Sequence, residues 1–196
     1  MTYSRGRREG GFTLINLLVA MGLSGIAFGA ITTTFVSQSQ SYDAQEQVVE
    51  MQQNARAAMD LITREVRMAG FDPTGAGFDG VHHHSGYIHI RADLDGNGDK
   101  DGTNEDLRYR YDNTNDLIER DDDDHNNWTT LTENIQAFNF DYLDSNGNPT
   151  TTSADIRQIL ITITARTAES DRNYPFNGGY HTQTLASLVT PRNLAY

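Results

Sequence analysis

The sequence predicts an α+β protein. One long N-terminal α-helix, hydrophobic in its first half, packs with its second half on an antiparallel β-sheet head. Three observations lead there. Residues 10–42 carry no charge and hold an apolar run over 12–36. Over 43–69 apolar residues then recur at three- or four-residue spacing. Beyond Phe71 the chain breaks into short alternating segments separated by Gly, Asn and Asp. The 196 residues divide accordingly into a short basic segment (1–11), a membrane-length helix (12–36), an amphipathic helix (37–70) and a β-rich head (71–196).

The average composition conceals this division. A mean hydropathy of −0.59 describes a polar, soluble chain and excludes a polytopic membrane protein. Yet residues 1–9 hold three Arg and one Glu, whereas residues 43–196 hold 12 Lys and Arg against 26 Asp and Glu. So acidic a head repels phosphates, which nucleic-acid-binding proteins neutralise with clustered cations, so no nucleic-acid partner is expected. The absence of Cys excludes a disulfide framework, a Cys-based zinc site and a thiol nucleophile.

The 12–36 run would form a helix of about 37 Å, enough to cross a bilayer core of roughly 30 Å. Arg5, Arg7 and Arg8 precede it and should remain cytoplasmic. A secretory signal would carry a cleavage site after its apolar core; here the conspicuous site lies before it. The stretch Gly10-Gly11-Phe12-Thr13-Leu14-Ile15-Asn16-Leu17-Leu18-Val19-Ala20-Met21 resembles the class III signal of type IV prepilins and pseudopilins. The resemblance implies cleavage by a membrane prepilin peptidase after Gly11, N-methylation of Phe12, and a helix that serves first as a membrane anchor and then as filament core. The family usually has Glu at the fifth mature position, where this chain has Asn16. Asn can hydrogen-bond but cannot neutralise a neighbouring subunit's terminal ammonium. Two readings stay open: a tip or initiating subunit with nothing ahead of it to dock on, or a tolerated substitution in a low-copy subunit.

Gly22, Gly25 and Gly29 fit either close helix packing in a filament core or ordinary transmembrane tolerance of Gly. Beyond the membrane, Val48, Met51, Ala55, Met59, Ile62 and Val66 form one helical face, with Gly70 as the stop and Pro73 after it. An unbroken helix over 12–69 would span about 87 Å, so its first half belongs in another environment. Residues 42–46 and 51–71 resemble the PilW-type minor pilins, relatives of the GspJ-type pseudopilins of type II secretion. That resemblance implies the pilin architecture of a long helix on an antiparallel sheet. The ending Pro191-Arg192-Asn193-Leu194 is similar to that of PilW-type sequences.

In the head, strands are expected at 87–92, 107–111, 116–120, 135–143, 156–165 and near 182–189. Period-two alternation assigns inward faces to Ile88 and Ile90, to Leu107, Tyr109 and Tyr111, to Phe138, Phe140 and Tyr142, and to Ile159, Ile161 and Ile163.

The strongest chemical motif is the run 93–106. Asp93, Asp95, Asn97 and Asp101 fall at positions 1, 3, 5 and 9 of a calcium-type loop, Asp99 offers its backbone carbonyl at position 7, and Gly98 supplies the turn at position 6. Position 12 is Asn104 in place of the bidentate Glu, and Glu105 comes one residue late. A weak structural calcium site is expected, with a dissociation constant of order 10⁻⁴–10⁻³ M; the alternative is a solvated acidic hairpin loop. Residues 91–124 carry 13 acids against five basic residues, a concentration that a cation would relieve. The Asp121–Asp124 cluster lacks glycine-spaced ligands and reads as a solvated loop.

His82, His83, His84 and His89 lack metalloenzyme spacing, and His82–His84 read as a polar loop. No nucleophile elbow, phosphate-binding loop or Ser/His/Asp arrangement stands out, so no enzymatic activity is expected. The leading reading is a minor pilin or pseudopilin, anchored in the bacterial inner membrane with a periplasmic head, then incorporated near the filament tip. Its partners would be major and minor pilins, the prepilin peptidase, the inner-membrane assembly platform and, before assembly, membrane lipid. The alternatives are a type II secretion pseudopilin and a membrane-tethered, calcium-dependent binding or adhesion module.

Overall fold

The computed structural model describes residues 13–122 and 127–194. Gly11 and Phe12, the expected processing site, lie outside the described residues. The chain divides into two compact units, Met1–Gln45 and Glu46–Tyr196.

Helix α1 is Leu14–Met68, 55 residues. Thr13 caps it, its hydroxyl accepting the Asn16 N–H at 3.4 Å and satisfying one of the donors that a helix start leaves free. Within the first unit every residue from Thr13 to Asp43 is exposed, Leu14, Ile26, Phe28 and Phe35 among them. Exposed hydrocarbon costs roughly 25 cal/mol per Å² in water, so this helix is built for lipid or for other apolar helices. It is long and apolar enough to cross a membrane, with a mean hydropathy of 2.1 in its most apolar stretch. The hydroxyls inside the stretch are satisfied by their own helix: Ser24 donates to the Ala20 carbonyl, Thr32 to that of Phe28 and Thr34 to that of Ala30, at 2.8–2.9 Å. Bonded in this way, they can enter hydrocarbon without an unpaired polar group.

In the second unit the periodic face of α1 is buried as expected. Met51, Ala55, Met59, Ile62 and Val66 enter the core with Ala58, and Val48 packs at the margin. The helix stops because Gly70 adopts a left-handed φ of +76°. Glycine is required at position 80 as well, since a Cβ there would sit 2.3 Å from the Gly70 backbone. The Gly70 N–H then donates to the Arg91 carbonyl at 2.8 Å, tying the helix end to the sheet. The terminal Pro191–Leu194 run acts here too: the Asn193 amide donates to the Met68 and Ala69 carbonyls at 3.3 and 3.4 Å.

Eight strands follow: β1 (Val81–His82), β2 (Tyr87–Arg91), β3 (Asp106–Asp112), β4 (Leu117–Asp121), β5 (Thr129–Thr132), β6 (Ile135–Leu143), β7 (Gln158–Arg166) and β8 (Thr182–Val189). All pair antiparallel, but they form two sheets, β1-β2-β3-β4-β5 and β6-β7-β8, where the sequence suggested one. The break falls at the β5–β6 connection, where Asn134 takes a φ of +59° and turns the chain out of the first sheet. The expected inward faces hold. Ile88, Ile90, Leu107, Tyr109, Phe138, Tyr142, Ile159, Ile161 and Ile163 are buried, while Tyr111 and Phe140 pack at the margin.

Two strands are additional to the sequence reading. β1 places His82 in a sheet, so only His83 and His84 of that run occupy a loop. β5, a run of Thr and Leu, lacks the alternation that marks a strand in sequence. Asp116 belongs to a turn, not to β4, because its φ is +57°.

Candidate functional site

The connection between β2 and β3 winds around two buried carboxylates. Asp93 is fully buried and Glu105 is 1% exposed. Left-handed glycines tighten the loop, Gly96 at φ +76° and Gly98 at φ +89°. Those turns aim backbone N–H groups inward. Asp93 accepts from the N–H groups of Gly96, Asn97 and Gly98 at 2.7, 3.1 and 3.0 Å, and from the Thr74 hydroxyl at 3.3 Å. Glu105 accepts from Leu94 and Asp95 through one oxygen at 2.7 and 3.0 Å, and from Gly102 through the other at 2.8 Å. Main-chain dipoles thus offset part of the cost of burying two charges.

Of the seven sequence candidates in this loop, Asp93, Asp95 and Glu105 come together, with one carboxylate oxygen from each within 4.8 Å of the others. Such a spacing suits a small hard cation. Asp95 is exposed and accepts from Asn97 through both oxygens, at 3.0 and 3.3 Å. Asn97 and Asp99 cap the turn locally, accepting the N–H groups of Asp99 and Asp101 at 2.8 and 3.1 Å, and Asp101 is exposed. Asn104 points elsewhere: it takes a left-handed φ of +65° and its side-chain oxygen accepts from Arg120. The carboxylate that closes the loop is therefore Glu105, one residue later.

Arg120 connects this loop to α1. Its guanidinium donates to both oxygens of Glu65, at 3.2 and 3.3 Å, and the Tyr109 hydroxyl donates to the same Glu65 carboxylate. Burial, and then the adjacent Glu65 charge, push the Tyr109 phenol well above its ordinary range. Sequence reasoning missed this network. Its signal was Glu65, an acid one residue before the buried Val66.

The outward side of the five-stranded sheet carries a second set of charges. His89 Nε2 lies 2.7 Å from Asp106, which also accepts from Arg91 at 3.0 Å, and Arg108 pairs with Asp121 at 2.6 Å. Burial raises the Asp106 carboxyl, but His89 and then Arg91 outweigh it and hold the group below the ordinary Asp value. Burial, reinforced by neighbouring Arg91 and His89, lowers the His82 imidazole. His89 is thus hydrogen-bonded to a buried carboxylate. Outside the head, Asn16 is exposed in the apolar stretch of α1.

The family model described as prepilin peptidase-dependent protein B matches residues 44–184. That span takes in the second half of α1 and nearly all of the head, and it begins after the apolar run. No curated protein matches. Among solved structures, a type IV-like pilin from Thermus thermophilus is similar at 12% identity and a TM-score of 0.46, over 73% of this chain and 97% of the other.

Proposed function

Since the chain belongs to the prepilin peptidase-dependent protein B family, we propose that it is a minor subunit of a type IV pilus, placed at or near the filament tip. The head would lie in the periplasm and the apolar helix in the inner membrane until assembly. The observation that carries this reading is α1 itself. One continuous helix is exposed from Leu14 to Asp43 and apolar as far as Val36, and it buries one face against the sheets beyond Glu46, as a subunit needs when it joins a filament by one half and displays a head with the other. Processing at Gly11 with methylation of Phe12 is proposed on residues 10–21, which precede the matched span. The tip position is proposed on Asn16, which cannot neutralise another subunit's terminal amine. Service in a type II secretion pseudopilus uses the same subunit plan and is the neighbouring alternative. The role is structural; partners are other pilins, the prepilin peptidase and the assembly platform.

Mass spectrometry of the chain recovered from membranes and from sheared filaments tests this. The expected N-terminus is methylated Phe12. A chain that retains Met1 where the peptidase is active, and is missing from filaments, would overturn the reading.

A calcium ion held by Asp93, Asp95 and Glu105 is a second proposal, supported by the convergence of their oxygens. It would also serve the alternative role of a tethered calcium-dependent binding module. Melting of the full chain in detergent, with millimolar calcium against EDTA, should show a metal-dependent rise. An unchanged transition would remove the site.

A further inference from the structure

We propose that β8 is an assembly edge, on which a neighbouring, non-identical subunit adds an uncharged extended segment as a fourth strand of the β6-β7-β8 sheet. This rests on the filament reading above. Strand β8 ends its sheet, and its eight residues, Thr-Gln-Thr-Leu-Ala-Ser-Leu-Val, contain no charge and no Pro. Its register against β7 is unbroken, Thr182 to Val189 pairing residue by residue with Arg166 to Ile159. Natural edge strands are usually protected by Lys, Pro, a bulge or brevity. β8 has none of these protections.

The other sheet margins are short or engaged at their ends. β1 has two residues and β5 has four. The free side of β6 is crossed by Tyr111, whose hydroxyl donates to the Ile135 and Gln136 carbonyls at 3.0 Å, and by Thr150, whose N–H donates to Tyr142 at 2.9 Å. For β8, no described residue reaches the outward backbone groups.

Ladder parity identifies those groups. The Thr167 N–H donates to the His181 carbonyl at 2.9 Å, whereas the Arg166 N–H turns the other way, to Asn134 at 2.8 Å. In an antiparallel pair these roles alternate. Gln183, Leu185, Ser187 and Val189 therefore bond to β7, and Thr182, Thr184, Ala186 and Leu188 present their N–H and C=O groups outward. Among protein partners, an extended backbone is what matches alternating donors and acceptors along one line.

The partner's chemistry follows from the surroundings. Residues 173–191 carry no Asp, Glu, Lys or Arg in a chain of net charge −12, so the incoming segment is uncharged. Leu188 is 54% exposed and Phe176, in the loop before β8, is 65% exposed, so it brings apolar side chains. A second copy pairing β8 with β8 antiparallel would be related by a two-fold axis normal to the sheet, which runs the 46–68 segments of the two helices in opposite directions; a non-identical subunit is therefore the proposed occupant, and β8–β8 pairing is an outcome the test distinguishes.

The test uses the full-length chain in cells that assemble the filament, with a photo-crosslinking residue at Leu188 and a control at Asn139, on β6. The expected adduct joins position 188 to an uncharged segment of another prepilin-type subunit, mapped by mass spectrometry. Ala186→Pro should reduce this adduct at least tenfold: it removes an outward N–H and leaves the bonds to β7 intact. Trp128 fluorescence checks that the variant remains folded. Ala186→Ser should behave like the parent. An adduct between two β8 strands overturns the choice of partner, as does one with a protein outside the filament. A chain cut at Gly11 that gives no adduct at 188 overturns this inference and leaves the proposed function standing. An uncut chain without an adduct overturns both.

Discussion

The two sheets of the head solve burial in opposite ways. The five-stranded sheet buries charge: Asp106, Arg108 and Asp121 lie on its outward side beside the His89 imidazole, and Glu65 and Arg120 lie between it and α1. The three-stranded sheet buries hydrocarbon, with Ile159, Ile161 and Ile163 fully enclosed, and has a neutral free edge. Paired charges depend on geometry and on both partners being present. Packed isoleucines depend on volume. One sheet is therefore sensitive to pH and to loss of a single charge, and the other to cavities.

Unfolding of the full chain in detergent, followed by its single tryptophan, Trp128, measures that difference. The largest loss is expected for Arg120→Ala, about 3–5 kcal/mol, because Glu65 would be left buried and uncompensated. Arg120→Lys should recover only part of it, since an ammonium cannot reproduce the two-pronged contact. Loss below that of Ile161→Ala would erase the distinction between the sheets.

Ile161→Ala comes next, at about 3 kcal/mol, the cost of a cavity in a core that relaxes little. Its effect should be independent of pH.

Asp106→Asn should cost about 1–3 kcal/mol near neutrality, through charge-assisted bonds to His89 and Arg91. Because the folded carboxyl titrates below its ordinary value of about 4, its contribution is complete above that pH. It is lost as pH falls through the folded value. The stability gap between parent and Asn variant should therefore close below about pH 4, and a gap that persists there would refute the assignment.

The smallest effect is expected for Arg166→Ala. Its pair with Asp116 is 27% and 37% exposed, and loss of such a bridge should change stability by less than about 1 kcal/mol.

Much of the head was legible because period-two and period-3.6 patterns report burial directly. The inward residues of β2, β3, β6 and β7, and the α1 face from Met51 to Val66, follow from spacing alone. What spacing missed has a common cause. β5 is too uniform to alternate, β1 is two residues long, and the left-handed φ of Asn134 that splits the sheets is compatible with many loop sequences. In the 93–105 loop, composition and glycine spacing marked a turn rich in oxygen ligands. Which oxygens converge was not written there, since Asn104 turns to Arg120, sixteen residues away along the chain by way of β3 and β4, and Glu105 takes the inward place.

By itself the sequence determined the chargeless membrane-length helix, the start and stop of its amphipathic continuation and the acidic character of the head, because these are properties of neighbouring residues on one periodic chain. Tertiary structure alone decided the division into two sheets, the Glu65–Tyr109–Arg120 network, the gathering of Asp93, Asp95 and Glu105, and the exposure of β8 as an edge. Each of these depends on segments distant in sequence meeting in space, and free energies of contact, not local periodicity, select which of them meet.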